Sequence, residues 1–221
     1  MKEVAKENTL EYWDEYDSSS IGVGAYTDEK LLKTYAKGEV LEVGCGRGSM
    51  LKKLIGVGSK TGIDPSKQAI DYAKSTATDA SFVVGVAEKL PFKDNSFDFV
   101  YSLEVFEHVE EYELMVSEMV RVLKDGGVGF IQTPNYPAKR FYDFVYFLLK
   151  RRSELKDDYT HVTKFSFYKL SDVIKKHATI KYGCTRNILA GKMYPMKLLS
   201  RDSFLAKWIG QKSIVVFIKG T

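Results

Sequence analysis

Residues 40–49 read VLEVGCGRGS, and few ten-residue stretches constrain a fold more. Three apolar β-formers enclose one acid, Glu42, and run directly into glycines at alternate positions, Gly44, Gly46 and Gly48. Glycine is suited to backbone at positive φ, or to places where another group must approach the main chain without a Cβ between them. The next residues, 49–55 (SMLKKLI), have the spacing of a short helix. The unit is therefore strand, glycine loop, helix, and the free N–H groups and dipole of such a helix start favour a polar or anionic ligand.

The pattern continues along the chain. Helical spacing is expected over 3–16 and 28–37, with a Ser- and Gly-rich loop at 18–24. Strands are expected at 60–64, 81–86, 97–102 and 126–133, with helices at 65–76 and 109–123 between them; Pro65 opens the first of these helices. Strands that alternate with helices argue for a parallel sheet covered on both faces. Right-handed crossovers make it a doubly wound, Rossmann-like sheet that binds ligands beyond the carboxyl ends of its strands. Beyond residue 136 the spacing predicts helices at 138–152 and 167–177 and strands at 179–186 and 213–218. A chain of 221 residues suits one domain: a helical N-terminal cap (1–37), a ligand-binding core (38–135), and substrate-side segments with closing strands (136–221).

Composition mainly excludes. Apolar residues at 44% and charged residues at 28% are globular values, which argues against a disordered, fibrous or disulfide-scaffold protein. The first 16 residues contain no apolar run of the secretory type, and Cys45 and Cys184 belong to no metal-type spacing; both features point to reduced thiols and a cytoplasmic setting. The net charge of +4 conceals an asymmetry: residues 1–138 hold 15 basic against 23 acidic side chains, residues 139–221 hold 18 against 6. The basic final third either faces an anionic partner or is a solvated face.

Asp64 lies 20 positions after Gly44 at the expected end of the second strand. There it can accept the ribose hydroxyls of a nucleoside whose other end rests on the glycine loop, or cap the following helix. Three details narrow the choice of nucleoside: GxGxG replaces the GxGxxG of pyrophosphate binders, Glu42 sits inside the first strand, and AEKLPFKDNSFDFV follows the third. With GIDPS, FDFVYSLEVFEHV and VLKDGGVGFIQTPN in order, residues 38–135 resemble the class I S-adenosylmethionine-dependent methyltransferases, specifically the small-molecule branch that includes the ubiquinone-biosynthesis O-methyltransferases.

The resemblance implies a seven-stranded sheet of order 3-2-1-4-5-7-6, with the last strand antiparallel. It places Gly44, Cys45 and Gly46 under the methionine moiety, with Glu42 and Gly48 framing that loop and Asp64, followed by Pro65, at the ribose. Ala87 and Glu88 would border the adenine, and Ser102 and Leu103 the amino-acid end or the sulfonium. The family usually has Asp before the Ala-Glu pair, whereas this chain has Val86, so adenine recognition would rest on main-chain groups near Ala87 and on Glu88.

Glu104, Glu107 and His108 stand at i, i+3 and i+4, one face of a helical turn. Such a set either ligates a divalent cation, which would acidify a bound phenol, or caps the helix and orders the loop. His161, ahead of a helix, is a candidate active-site residue by resemblance, and His177 reads as a helix C-terminal partner. The aromatic and basic stretch 138–152 suits an anionic membrane interface, a lid, or a sheet-covering helix.

The expected activity is methyl transfer by direct displacement to a small lipophilic or phenolic O-acceptor, with His108 or His161 accepting or guiding a proton. A nicotinamide-dependent oxidoreductase shares the loop and Asp64 but gives no reason for AEKLPF. A non-catalytic nucleoside- or RNA-binding module keeps the fold and loses the chemistry, and nucleic acid is not the favoured partner.

Overall fold

The computed structural model describes residues 27–136, 138, 140, 144, 161–189, 192–194 and 210–220. The expected elements at 3–16 and 18–24, and all of 138–152 except Ala138, Arg140 and Phe144, lie outside the described residues. Those three are helical. No helix among the described residues is long and apolar enough to cross a membrane.

Helix α1 (Glu29–Tyr35) leads into strand β1 (Glu39–Val43), whose last four residues are buried. There follow β2 (Ser59–Asp64), α2 (Lys67–Thr76), β3 (Ser81–Val84), β4 (Phe97–Leu103), α3 (Tyr112–Val122), β5 (Leu123–Pro134), α4 (Phe167–Lys175), β6 (Thr179–Leu189), β7 (Lys192–Tyr194) and β8 (Lys212–Ile218). The sheet order is β3-β2-β1-β4-β5-β8-β6-β7. The strand pairs from β3 to β5 are parallel, and β8 runs antiparallel to both β5 and β6. Strand β7 is a three-residue hairpin arm on β6, which the sequence reading did not anticipate; without it the order is the expected 3-2-1-4-5-7-6.

Both faces of the central strands are apolar because each must meet a helical layer. On one face Leu41, Val100, Ile131 and Phe217 pack with Met115 and Met119 of α3 and Leu170 and Ile174 of α4. On the other, Val40, Phe99, Tyr101, Phe130 and Val216 pack with Leu32 of α1 and Ile70 and Ala73 of α2. The expected helix at 49–55 is a single 3-10 turn (Leu51–Lys53), ended by extended backbone at Leu54.

At one point of the sheet close approach is obligatory. A Cβ on Gly129 of β5 would lie 2.0 Å from the ring of its cross-strand partner Phe217. Gly129→Ala is therefore expected to lower stability by about 1–3 kcal/mol, as overpacking does. Chemical denaturation of Gly129→Ala, Phe217→Leu and the double variant checks this: the double variant should lose less than the sum of the singles, and strict additivity would contradict the contact.

Candidate functional site

At the carboxyl end of β1 the chain turns sharply. The N–H groups of Gly44 and Cys45 both donate to the Ile63 carbonyl at 2.8 and 3.0 Å, which stitches the loop to the end of β2. Gly44 (φ +76°) and Gly46 (φ +49°) both sit in the left-handed region, but for different reasons. A Cβ on Gly44 would come within 2.1 Å of the Val105 side chain, so the loop after β4 leans directly on this backbone. A Cβ on Gly46 would meet nothing within 4 Å among the described residues, and toward them its face is open. Gly48 packs against the ring of Phe82 and the side chain of Ala73.

Asp64 organises this loop. Its carboxylate accepts from the Gly46 N–H at 2.7 Å and the Ser66 N–H at 3.0 Å. Burial nevertheless raises its pKa above the usual aspartate value, because desolvation outweighs the two backbone donors. The cap of α2 is Ser66, whose Oγ accepts from the Ala69 N–H at 3.1 Å, so the capping alternative for Asp64 falls to its neighbour two residues on, just past Pro65. Below the loop, burial pushes the Glu42 carboxyl up to about 8 and also raises the Cys45 thiol. Glu42 Oε2 and the fully buried Ser102 Oγ are polar atoms with no hydrogen-bond partner among the described groups. Ala87 is buried beside Glu88, past the end of β3, and Leu103 closes β4.

The second group of residues departs from its expected geometry. Glu104, Glu107 and His108 do not share a helical face, because Glu104 stands at φ +57° and its N–H donates to the Gln132 carbonyl of β5 at 2.9 Å. Only Phe106–His108 form a 3-10 turn. Glu104 Oε1 accepts from Gln132 Nε2 at 3.0 Å, and its Oε2 pairs with Lys212 of β8. The expected set of Glu104, Glu107 and His108 is thereby replaced by another. Glu107, His108 and His161 bring one ligand atom each within 4.8 Å of one another.

Glu107 is the buried centre of that set, 1% exposed. Its Oε2 accepts from Thr133 Oγ1 at 2.8 Å, and its Oε1 lies 3.9 Å from His161 Nε2. Burial, reinforced by the Glu104 charge, raises its pKa to about 8, with Lys212 opposing. The rings of His108 and His161 meet edge-on at 4.9 Å, and Tyr136 Oη lies 2.7 Å from His161 Nδ1. His177 follows the last turn of α4, donating its N–H to the Ile174 carbonyl.

Sequence reasoning missed Gln132, Thr133, Tyr136 and Lys212. It missed too the Asp28–Arg186 pair (2.7 Å), in which the cap of α1 meets β6 while the Asp28 N–H reaches Gln132. Gln132 and Thr133 lie in the quoted GFIQTPN stretch, where two buried polar residues end an apolar strand. That was the available signal.

Residues 41–131 match the methyltransferase domain family. A ubiquinone biosynthesis O-methyltransferase of Bartonella bacilliformis is 32% identical over 126 residues, half of this chain and 51% of that protein. The chain thus spans about half the length of the curated relatives it matches. Among solved structures, an S-adenosylmethionine-dependent methyltransferase of Thermotoga maritima described as a possible histamine N-methyltransferase superposes with a TM-score of 0.64 at 21% identity, over 99% of this chain and 95% of that one. The [4+2]-cyclase SpnF superposes at 0.61 with 15% identity, covering 87% and 80%. At such identities the superpositions establish the fold, and the two neighbours' different chemistries show how little the fold alone says about the reaction.

Proposed function

We propose that the chain, whose residues 41–131 match the methyltransferase domain family, moves a methyl group from S-adenosylmethionine to a hydroxyl of a small lipophilic or phenolic acceptor by direct displacement. The observation that carries this reading is the open, left-handed backbone of Gly46, pinned by Asp64 and flanked by a loop that touches Gly44. The unpartnered Ser102 Oγ at the adjoining strand end is a polar atom in need of a ligand group, which suits the amino-acid end of the cofactor.

In this reading Gly44, Cys45 and Gly46 support the methionine moiety, with Glu42 and Gly48 holding the loop from below. Asp64, past which Pro65 starts the turn into α2, receives the ribose hydroxyls. Ala87 and Glu88 border the base, and Ser102 and Leu103 the region of the sulfonium. The bound cofactor supplies an electrophilic methyl group. The protein's part is to hold the acceptor oxygen in line with it and to exclude water. His108, in the turn after β4, and His161, whose ring meets it edge-on at 4.9 Å, are the groups that take or guide the acceptor's proton. O-methylation draws its support from this histidine-carboxylate group and from the O-methyltransferase relatives.

Equilibrium binding of S-adenosylmethionine against NADH, followed by radiolabelled methyl transfer to phenols, lipids, sugars and RNA, tests the proposal; preference for NADH would overturn it. Asp64→Ala should weaken S-adenosylmethionine by about 1–3 kcal/mol, the usual consequence of unpaired buried hydrogen-bonding groups. Unchanged affinity by calorimetry in a folded variant would remove Asp64 from the ribose.

The closeness of Glu107, His108 and His161 favours a second element, a divalent cation bound to those three and acidifying the acceptor hydroxyl. Calorimetric titration with manganese or zinc should then show one site in the wild type and none in His161→Gln.

A further inference from the structure

Residues 85–96 join β3 to β4 without helix or strand, so their main-chain groups have no regular partners. Helix α3 supplies partners at one place. Glu118 Oε2 accepts from the Leu90 N–H at 2.8 Å, and Arg121 Nη2 donates to the Leu90 carbonyl at 3.0 Å. Arg121 Nη1 donates to the Phe92 carbonyl at 2.8 Å and to Asp94 Oδ1 at 2.6 Å. The guanidinium is itself oriented by Glu118, through Nε at 2.6 Å and Nη2 at 2.8 Å. Each side-chain nitrogen of Arg121 is thus committed, and its two-pronged contact with a carboxylate is of the strong, directional kind.

The other end of the same connection is tied to the glycine loop. The Gly85 N–H donates to the Asp64 carbonyl at 3.1 Å, and the Asp64 carboxylate accepts from the Gly46 N–H at 2.7 Å. Between the two anchors lies a tight turn at Ala87 and Glu88, closed by the Lys89 N–H donating to the Val86 carbonyl at 3.4 Å. Leu90, held at both of its main-chain groups, follows directly after this turn. Gly85, Val86 and Ala87 have no polar side chain, so the turn meets a ligand through main-chain groups and Glu88. Main-chain groups do not swivel as side chains do, and where they point is decided by what holds the turn. The hydrogen bond from Arg121 keeps the Glu118 carboxyl below the ordinary glutamate range, so the clamp stays charged through neutral pH.

We infer that Arg121 and Glu118 are positioning residues for the base of the nucleoside: by gripping Leu90 at both main-chain groups they fix where the Ala87–Glu88 turn offers its own hydrogen bonds. This rests on the reading above that Ala87 and Glu88 border the adenine, and it names what sets the selectivity of that subsite. Adenine presents an amino donor at C6 and an acceptor at N1, whereas hypoxanthine presents a carbonyl acceptor at C6 and a donor at N1. A fixed row of main-chain groups distinguishes the two, because the wrong base leaves donors facing donors and acceptors facing acceptors. A turn released from α3 adjusts to either base and loses the preference.

Calorimetric titration of S-adenosylhomocysteine and of S-inosylhomocysteine into the wild type and Arg121→Met tests this, with circular dichroism and thermal denaturation to follow folding. Methionine retains the apolar stem and removes every donor. The wild type should prefer the adenine compound by at least about tenfold, as sites that read polar groups do. Arg121→Met should bind it at least about tenfold more weakly while affinity for the inosine compound changes by less than about twofold, so that the preference largely disappears. A role confined to stability would lower the melting temperature and leave the ratio of the two affinities unchanged. An unchanged ratio in folded Arg121→Met, or a wild type with no preference for the adenine compound, would therefore overturn the inference while leaving the cofactor reading in place. Absence of binding of either compound to the wild type would overturn that reading with it. Should Arg121→Met fail to fold, Glu118→Gln provides the same comparison, since its amide nitrogen puts a donor where one of the two oxygens that orient the guanidinium had been.

Discussion

Gly46→Val should bind S-adenosylmethionine at least about 100-fold more weakly than the wild type, equivalent to about 2.7 kcal/mol, while remaining folded. The two halves of this expectation come from different observations. Folding survives because a Cβ at this position meets no atom of the described residues within 4 Å, which leaves room there for a larger side chain. The backbone strain of a β-branched residue at φ +49° is on the order of 1–2 kcal/mol, a part of the stability of a domain this size. Binding is lost because the same open face is the proposed seat of the methionine moiety, and because a shift of the loop would also disturb the Gly46 N–H bond to Asp64. Gly46→Ala separates the two effects, since it introduces most of the strain with less of the bulk. Calorimetry and thermal denaturation on both variants would decide the matter. Near-wild-type affinity in Gly46→Val would show that the loop is only a turn.

The contrast with Gly44 shows how far the sequence could be read. Alternating glycines after an apolar strand announced a tight loop at a ligand end, and the loop is there. The spacing could not say that Gly44 accommodates Val105 while Gly46 faces open space, since that distinction depends on a segment some sixty residues away. The parallel, doubly wound character of the sheet was legible because strand–helix alternation leaves few right-handed solutions, whereas the strand order came from the family resemblance. The short arm β7 was not, lying in a stretch with no clear period.

The ExxEH stretch shows the reverse case. Spacing at i, i+3 and i+4 places side chains together only if the backbone is helical, and here the chain leaves β4 by donating the Glu104 N–H to β5. The sheet's demand for that hydrogen bond won over local periodicity. What replaced the expected face joins Glu104 to Lys212, 108 positions away, and Asp28 to Arg186, 158 positions away. Neither pairing has a sequence signature, because each follows from which strands become neighbours. His161 was singled out by resemblance, and its approach to Glu107 and His108 depends on the turn at Phe106–His108 and on the Thr163 N–H bonding to the Glu107 carbonyl.

The buried carboxyls of Glu42 and Glu107 give the second large effect, a fall in stability as the pH rises. Each is raised from 4.5 to about 8, chiefly by burial, so the folded protein holds protons that the unfolded chain releases. Below about pH 4.5 both states are protonated at these positions and the groups contribute no difference. Between about 4.5 and 8 only the unfolded state ionises, so unfolding is increasingly favoured; above about 8 the loss is complete. One pKa unit corresponds to 1.36 kcal/mol, which puts the loss for Glu42 on the order of 5 kcal/mol, with Glu107 acting in the same direction. Surface carboxylates held low by lysines and arginines, such as Glu118 beside Arg121, act oppositely and only in the acid range, so the two trends separate along the pH axis. Urea denaturation at intervals from pH 5 to 8.5 should therefore show stability falling across the neutral range. Glu42→Gln and Glu107→Gln, which keep the shape and remove the ionisation, should each flatten that slope. A wild-type stability that is level or rises from pH 6 to 8, or a slope unaffected by either glutamine, would mean that these carboxyls are solvated or paired in solution, and the unpartnered Glu42 Oε2 beneath the glycine loop would then need another account.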